Sequence, residues 1–191
     1  NQQHNITNKN HVPQKKLISA GGWAEGIVLI TAHRRENHGQ RLEHILDAIV
    51  TLSSQFSSHQ FILPLHPNPN VKDRIIKRLS TQKNILLIES LDYPQLVYVL
   101  KKAKLVLTDS GGIQEEAPTF GVPILVMRYK TERMEGVKKG FAKLVGTKSS
   151  KIIKEASAVL SKGYKIEGVN PYGDGKSSQK IEKIIRRFLY G

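Results

Sequence analysis

Apolar positions along this chain follow two rhythms that take turns. Ile27-Val28-Leu29-Ile30 is a continuous apolar run, the pattern of a strand covered on both faces. After a polar stretch, Leu42, Ile45, Leu46, Ile49, Val50 and Leu52 recur at helical spacing. The pair of signals then returns. Phe61-Ile62-Leu63 predicts a second strand, 64–70 a loop, and Val71, Ile75, Ile76 and Leu79 one face of a second helix. Ile85-Leu86-Leu87-Ile88 reads as a third strand, followed by a helix that carries Leu96, Val97, Val99 and Leu100 and has Pro94 in its first turn. Leu105-Val106-Leu107, Pro123-Ile124-Leu125-Val126-Met127 and Phe141-Ala142-Lys143-Leu144-Val145 predict three more strands, and helices are expected over 150–161 and 178–190. Strands alternating with helices imply an α/β fold: a Rossmann-like, three-layer α/β/α arrangement around a mostly parallel sheet.

In such sheets ligands bind beyond the carboxyl ends of the strands. Three polar clusters fall at such ends, at 33–36, 66–70 and 109–116. In the third, an apolar run stops at Thr108-Asp109-Ser110, passes through Gly111 and Gly112, and enters a helical segment, Ile113-Gln114-Glu115-Glu116. Glycines let a ligand approach the backbone closely, and the opening N–H groups of a helix are unpaired donors with partial positive charge, so this is the layout of a phosphate-binding turn. Glu116, about one turn further in, can accept hydrogen bonds from hydroxyls such as those of a ribose.

The other clusters read two ways. His33, Arg34, Arg35 and Glu36 can donate to oxyanions through imidazole and guanidinium groups, or form an exposed charged turn with a weak Arg–Glu pair. His66 sits between prolines in Leu65-His66-Pro67-Asn68-Pro69, as a rigid turn cap or a ligand contact. Thr131-Glu132-Arg133 reads as a charged helix start whose Arg133 faces the same rim. Ser110 lacks the strained elbow of a nucleophilic serine, which leaves it an N-cap or a phosphate contact. His33 and His38 have no third ligand at a metal-binding spacing, so no metal site is expected.

Composition narrows the classes. With 191 residues and 39% hydrophobic content, the chain suits one domain burying roughly 70% of its unfolded surface. The absence of cysteine excludes disulfides, thiolate metal sites and a cysteine nucleophile. No apolar stretch nears the ~20 residues of a membrane span, so a cytoplasmic protein is expected. Residues 1–25 are polar, with Gly21-Gly22 near their end, and read as a lead-in or linker before a domain over 26–191. The first residue is Asn rather than Met, which points to a piece of a longer protein. The formal charge of +14 favours a polyanionic partner, but the lysines and arginines are scattered without an aromatic platform. Solvated basic faces or a basic cleft wall for a diphosphate fit that distribution better than a nucleic-acid groove.

Taken in order, Thr31-Ala32-His33-Arg34-Arg35-Glu36-Asn37, Asp109-Ser110-Gly111-Gly112-Ile113-Gln114-Glu115-Glu116-Ala117-Pro118, Thr131-Glu132-Arg133 and Asn170-Pro171-Tyr172-Gly173-Asp174-Gly175 resemble the C-terminal half of the non-hydrolysing UDP-N-acetylglucosamine 2-epimerases. The resemblance covers roughly residues 27–189. It implies one half of a glycosyltransferase-B-type two-domain fold, with the active site in the cleft between domains. It also implies interconversion of UDP-GlcNAc and UDP-ManNAc by elimination of UDP to a 2-acetamidoglucal and re-addition, without a cofactor.

Carried over by residue, Ser110, Gly111 and Gly112 hold the diphosphate and Glu116 the ribose. His33 and Arg133 lie against the phosphates, and His33 is the candidate catalytic residue of this half. Arg34 and His66 match positions that touch a second, activating UDP-GlcNAc in bacterial members. Met134 replaces a proline usual after Thr-Glu-Arg, and Tyr129-Lys130 replaces smaller polar residues. Leu96 stands where an aromatic ring often meets the uracil, which should weaken base binding by about 1 kcal/mol. The acid and base carboxylates belong to an N-terminal domain that this sequence lacks, so the chain alone is expected to be inactive. The partner is that domain, in cis or as a separate chain, and the uncovered cleft face invites self-association into a homo-oligomer. Alternatives are another glycosyltransferase-B-type enzyme, such as a hydrolysing epimerase or a UDP-sugar transferase, a non-catalytic UDP-binding module, or a basic nucleic-acid binder.

Overall fold

A computed structural model describes residues 26–163 and 166–190. The lead-in expected over 1–25 lies outside the described residues. Within them the predicted rhythm becomes β1 (Ile27–Thr31), a 3-10 turn (Arg35–Asn37), α1 (Gln40–Gln55), β2 (Gln60–Pro64), α2 (Pro69–Leu79), β3 (Ile85–Ile88), α3 (Tyr93–Lys102), β4 (Ala103–Thr108), α4 (Gly111–Glu116), a second 3-10 turn (Ala117–Phe120), β5 (Ile124–Val126), α5 (Met134–Lys138), β6 (Ala142–Leu144), α6 (Ser149–Lys162) and α7 (Ser177–Tyr190).

Local chemistry sets the helix ends. Asp92 accepts the Gln95 backbone N–H while the Gln95 side chain accepts the Asp92 N–H, a reciprocal capping box that opens α3 with Pro94 in its first turn. The Asn68 side chain accepts the Asn70 N–H, which starts α2 at Pro69, two residues before the apolar spacing begins. Gly163, at φ 62°, closes α6 in the left-handed conformation that side chains resist.

All six strands run parallel in the order β3-β2-β1-β4-β5-β6. Strand side chains alternate between faces, so each strand feeds two cores. Val28, Ile30, Phe61, Leu63, Leu105 and Leu107 pack with α1, α2 and α6, including Ile45, Ile49, Ile75 and Ile152. Ile27, Leu29, Ile62, Val106, Ile124 and Val126 pack with α3 and α4 through Val99, Leu100 and Ile113.

The strand order reverses between β1 and β4. β2 and β3 lie to one side of that point and β5 and β6 to the other, so connecting helices diverge and leave a crevice outside the strand ends. Thr31 and Thr108 close β1 and β4 in direct register, with their hydroxyl oxygens 2.5 Å apart. Two of the three polar clusters, at 33–36 and 109–116, therefore start side by side.

α7 stands apart. It forms where the spacing predicts it, yet buries no residue: Ile181, Ile184, Ile185, Phe188, Leu189 and Tyr190 are all exposed, Phe188 to 88%.

Candidate functional site

The rim is organised by Asp109, a fully buried carboxylate directly after β4. Its oxygens accept the backbone N–H groups of His33 (3.0 Å) and Arg34 (2.9 Å) and the side-chain amide of Asn37 (3.0 Å), which also donates to the Met127 carbonyl. His33 Nδ1 lies 3.5 Å from Asp109 Oδ1. The loop after β1 is thus wrapped around a residue of β4's exit, and several donors satisfy what would otherwise be a costly buried charge. The sequence motifs contained Asp109 and Asn37 but assigned neither a role.

His33 stacks on His66, with ring centroids 5.3 Å apart and planes within 5° of parallel. His66 Nδ1 accepts the Asn68 N–H at 3.2 Å, so this imidazole serves as the turn cap expected for it while touching the first cluster.

Beyond Asp109, Ser110 occupies the N-cap position of α4, but its hydroxyl makes no capping bond and its N–H donates to Thr108 Oγ1 at 2.9 Å. The expected turn through the two glycines is the first turn of α4 itself. Neither glycine has positive φ, and only at Gly111 is space tight. A Cβ on Gly111 would stand 3.3 Å from Arg133 Cζ, whereas one on exposed Gly112 would meet only Glu116 Oε1, at 4.0 Å. Glu116 Oε2 is buried without a hydrogen-bond partner, and its carboxyl is shifted upward by burial and then by the neighbouring Glu115 charge. An acceptor in that state is suited to hydroxyl donors.

A relay of polar groups places Arg133. Gln114 Nε2 donates to the Ser110 carbonyl (3.0 Å), Thr131 Oγ1 donates to Gln114 Oε1 (2.8 Å), and the Arg133 N–H donates to Thr131 Oγ1 (3.2 Å). Arg133 Nε then donates to Glu115 Oε1 at 2.7 Å, leaving the guanidinium beside Gly111. His33 and Arg133 therefore flank the Ser110-Gly111 step, one through the residue before it and one over the residue within it.

Glu36 has a different partner from the neighbouring arginines considered for it. Its Oε1 accepts from Arg128 Nε at 2.6 Å, and the two Arg128 terminal nitrogens donate to both oxygens of Glu132 at 3.0 and 3.2 Å. Arg128 is only 5% exposed and ties the loop after β1 to the loop after β5. Its bidentate bond holds the Glu132 carboxyl down at about 2. A lone arginine at the end of an apolar strand was the available signal, and the sequence reading passed over it. Among the described residues, no group of three or more His, Cys, Asp or Glu side chains could hold a metal ion, and no helix is long and apolar enough to cross a membrane.

A parallel sheet with this strand order, opening its switch-point crevice onto a glycine-led helix, makes the chain one half of a glycosyltransferase-B-type fold. A family model for UDP-N-acetylglucosamine 2-epimerase matches residues 3–186. A probable UDP-N-acetylglucosamine 2-epimerase of Ralstonia solanacearum is 43% identical over 167 residues, spanning 85% of this chain and 44% of the relative. The Neisseria meningitidis UDP-GlcNAc 2-epimerase, solved bound to UDP-GlcNAc, superposes with a TM-score of 0.82 at 40% identity, over 91% of this chain and 49% of that one. A Staphylococcus aureus structure solved with UDP gives 0.84 at 37% identity, over 93% and 49%. The chain belongs to the UDP-N-acetylglucosamine 2-epimerase family, a family of isomerases. It spans about half the length of the curated relatives it matches.

Proposed function

We propose that this chain is the UDP-binding half of a UDP-N-acetylglucosamine 2-epimerase, with residues 26–191 as the nucleotide-binding domain and 1–25 as a lead-in. Ser110, Gly111 and Gly112 receive the diphosphate through backbone and hydroxyl donors, and Arg133 and His33 supply charge-assisted bonds to it. Glu116 accepts the ribose hydroxyls. The observation that carries the reading is the flanking of the Ser110-Gly111 step by His33 and Arg133, with an unpartnered buried carboxylate oxygen, Glu116 Oε2, on the same short helix.

In the reaction so proposed, UDP leaves C1 as a proton leaves C2, and both return with C2 inverted. This half stabilises the negative charge that develops on the departing diphosphate, the electrostatic share of catalysis. Proton transfer at C2 needs a carboxylate within reach, and the carboxylates around the glycine turn have other work: Asp109 and Glu132 are engaged in hydrogen bonds and Glu116 is assigned to the ribose. An N-terminal half supplies that acid and base, in cis or as a separate chain, and covers the cleft face. Without it, the exposed apolar side of α7 favours self-association.

Arg34 and His66 form the edge of a second UDP-GlcNAc site. The His33–His66 stack would let occupancy of that site bear on the first. The setting is cytoplasmic, where UDP-sugars are made and used.

A UDP titration followed by amide NMR tests the binding role. The Gly111 and Gly112 signals should move, and Glu116→Ala should weaken UDP by about tenfold, the equivalent of ~1.4 kcal/mol. Incubation with UDP-GlcNAc should yield neither UDP-ManNAc nor solvent hydrogen at C2 until the other half is added. Turnover by the chain alone would refute the division of labour.

A further inference from the structure

The Asn170-Pro171-Tyr172 stretch, half-buried against the rim, has no part in the reading above, yet its side chains reach into both helices of the phosphate side. Asn170 Nδ2 donates to the Glu115 carbonyl at 2.9 Å and contacts Thr119 Oγ1 at 2.8 Å, while its Oδ1 accepts the Tyr172 N–H at 2.9 Å. Glu115 lies in the last turn of α4, where carbonyls lack intrahelical partners, so Asn170 closes that end. The Tyr172 hydroxyl accepts the Gly136 N–H at 2.9 Å and donates to the Arg133 carbonyl at 2.8 Å. Gly136 belongs to the opening turn of α5, which has no side-chain cap of its own. One phenol therefore satisfies a donor of α5 and holds the carbonyl of the very residue that precedes the helix.

We propose that Asn170 and Tyr172 form a latch that positions Arg133 over Gly111 for the diphosphate. The inference rests on the reading of Arg133 as a phosphate ligand, but the latch has its own signature. Arg133 is held at three points, its N–H by Thr131, its carbonyl by Tyr172 and its Nε by Glu115, and Asn170 holds the backbone of that same Glu115. Two of these three anchors trace to one three-residue stretch. Space enforces the contact: a Cβ on Gly136 would stand 2.7 Å from the Tyr172 hydroxyl oxygen, so only glycine there lets the phenol reach its partners. Burial raises the Tyr172 phenol above its ordinary value, which keeps it protonated and able to donate.

The test compares UDP and uridine binding by calorimetry in the chain as it stands. Tyr172→Phe keeps the ring and removes both hydrogen bonds. It should weaken UDP by about fivefold to tenfold, an effect of order one hydrogen bond, and leave uridine unchanged. In an Arg133→Ala background the same substitution should have no further effect on UDP. The Arg133 Nε–H resonance should shift in Tyr172→Phe without any ligand. Gly136→Ala, which displaces the phenol from the other side, should reproduce these results if Tyr172→Phe fails to fold.

Equal losses for UDP and uridine, or an undiminished effect without the arginine side chain, would show a general structural role and overturn the latch. An unmoved Arg133 Nε–H resonance would do the same. If Arg133→Ala leaves UDP affinity intact, the phosphate reading of Arg133 fails, and the Nε–H signal alone decides the latch.

Discussion

α6 and α7 are the same length, 14 residues each, and both carry apolar residues at helical spacing. α6 buries Ile152, Ala156, Val159 and Leu160 against β-sheet and α1, whereas α7 buries nothing. Periodicity therefore reports that a helix has an apolar face, and says nothing about where its cover is. The polar groups divide likewise. Around Asp109 the donors are backbone and side-chain groups from elements far apart in the chain. Along α7 the ion pairs, Lys180 with Asp174 and Arg186 with Glu182, are local and solvent-exposed. One region is completed by groups of its own chain, and the other has no cover among the described residues.

The largest expected contrast lies between the two apolar faces. Ile152→Ala should cost about 2–5 kcal/mol of stability, the range for emptying a buried site, whereas Phe188→Ala in this chain should change it by less than about 0.5 kcal/mol. Equal losses in chemical denaturation would erase the distinction.

Asp109→Asn comes next. Its amide turns an N–H toward donors that need an acceptor, so a loss of about 1–3 kcal/mol is expected, against about 0.3–0.5 kcal/mol for Glu182→Gln, which removes only an exposed pair. If the complementary half covers the apolar face of α7, its addition should lower the contrast: hydrogen exchange of α7 amides should slow toward that of α6, and an α7 that stays equally labile in the assembled protein would show that its cover lies elsewhere.

The smallest effect is acid-dependent. Asp174 is held below the ordinary aspartate value by the Lys176 N–H and then by Lys180, so its contribution is present above about pH 4 and is lost as pH falls through the lower folded value. The start of α7 should fray in that window by NMR while α6, with Lys148 at its N-cap and no side-chain cap, does not respond in step. Glu132 behaves in the same sense: its pairing with Arg128 is lost between about 4.5 and about 2 as the solution is acidified.

Much of the architecture was legible because strands covered on both faces read as short unbroken apolar runs and helices impose a period of 3.6 on neighbouring residues. The six strands, the helix beginning at Gly111 and the turn role of His66 all follow from patterns within a few positions. The His33–Asp109 contact was not legible. It spans 76 residues and exists because β1 lies beside β4 although two strands intervene in sequence. The same holds for Arg128 and Glu36, 92 residues apart, and for Tyr172 and the Arg133 carbonyl, 39 apart.

By itself, then, the amino-acid order determined which segments would be strands and helices, which faces would be apolar, and where a helix-opening glycine pair could meet an anion. Those are short-range consequences of backbone geometry and side-chain shape. Only the tertiary structure decided which distant groups neutralise Asp109, what aims Arg133, and that the apolar face of α7 has no cover among the described residues. Partnership between remote residues depends on strand order and loop path, and local periodicity carries no record of either.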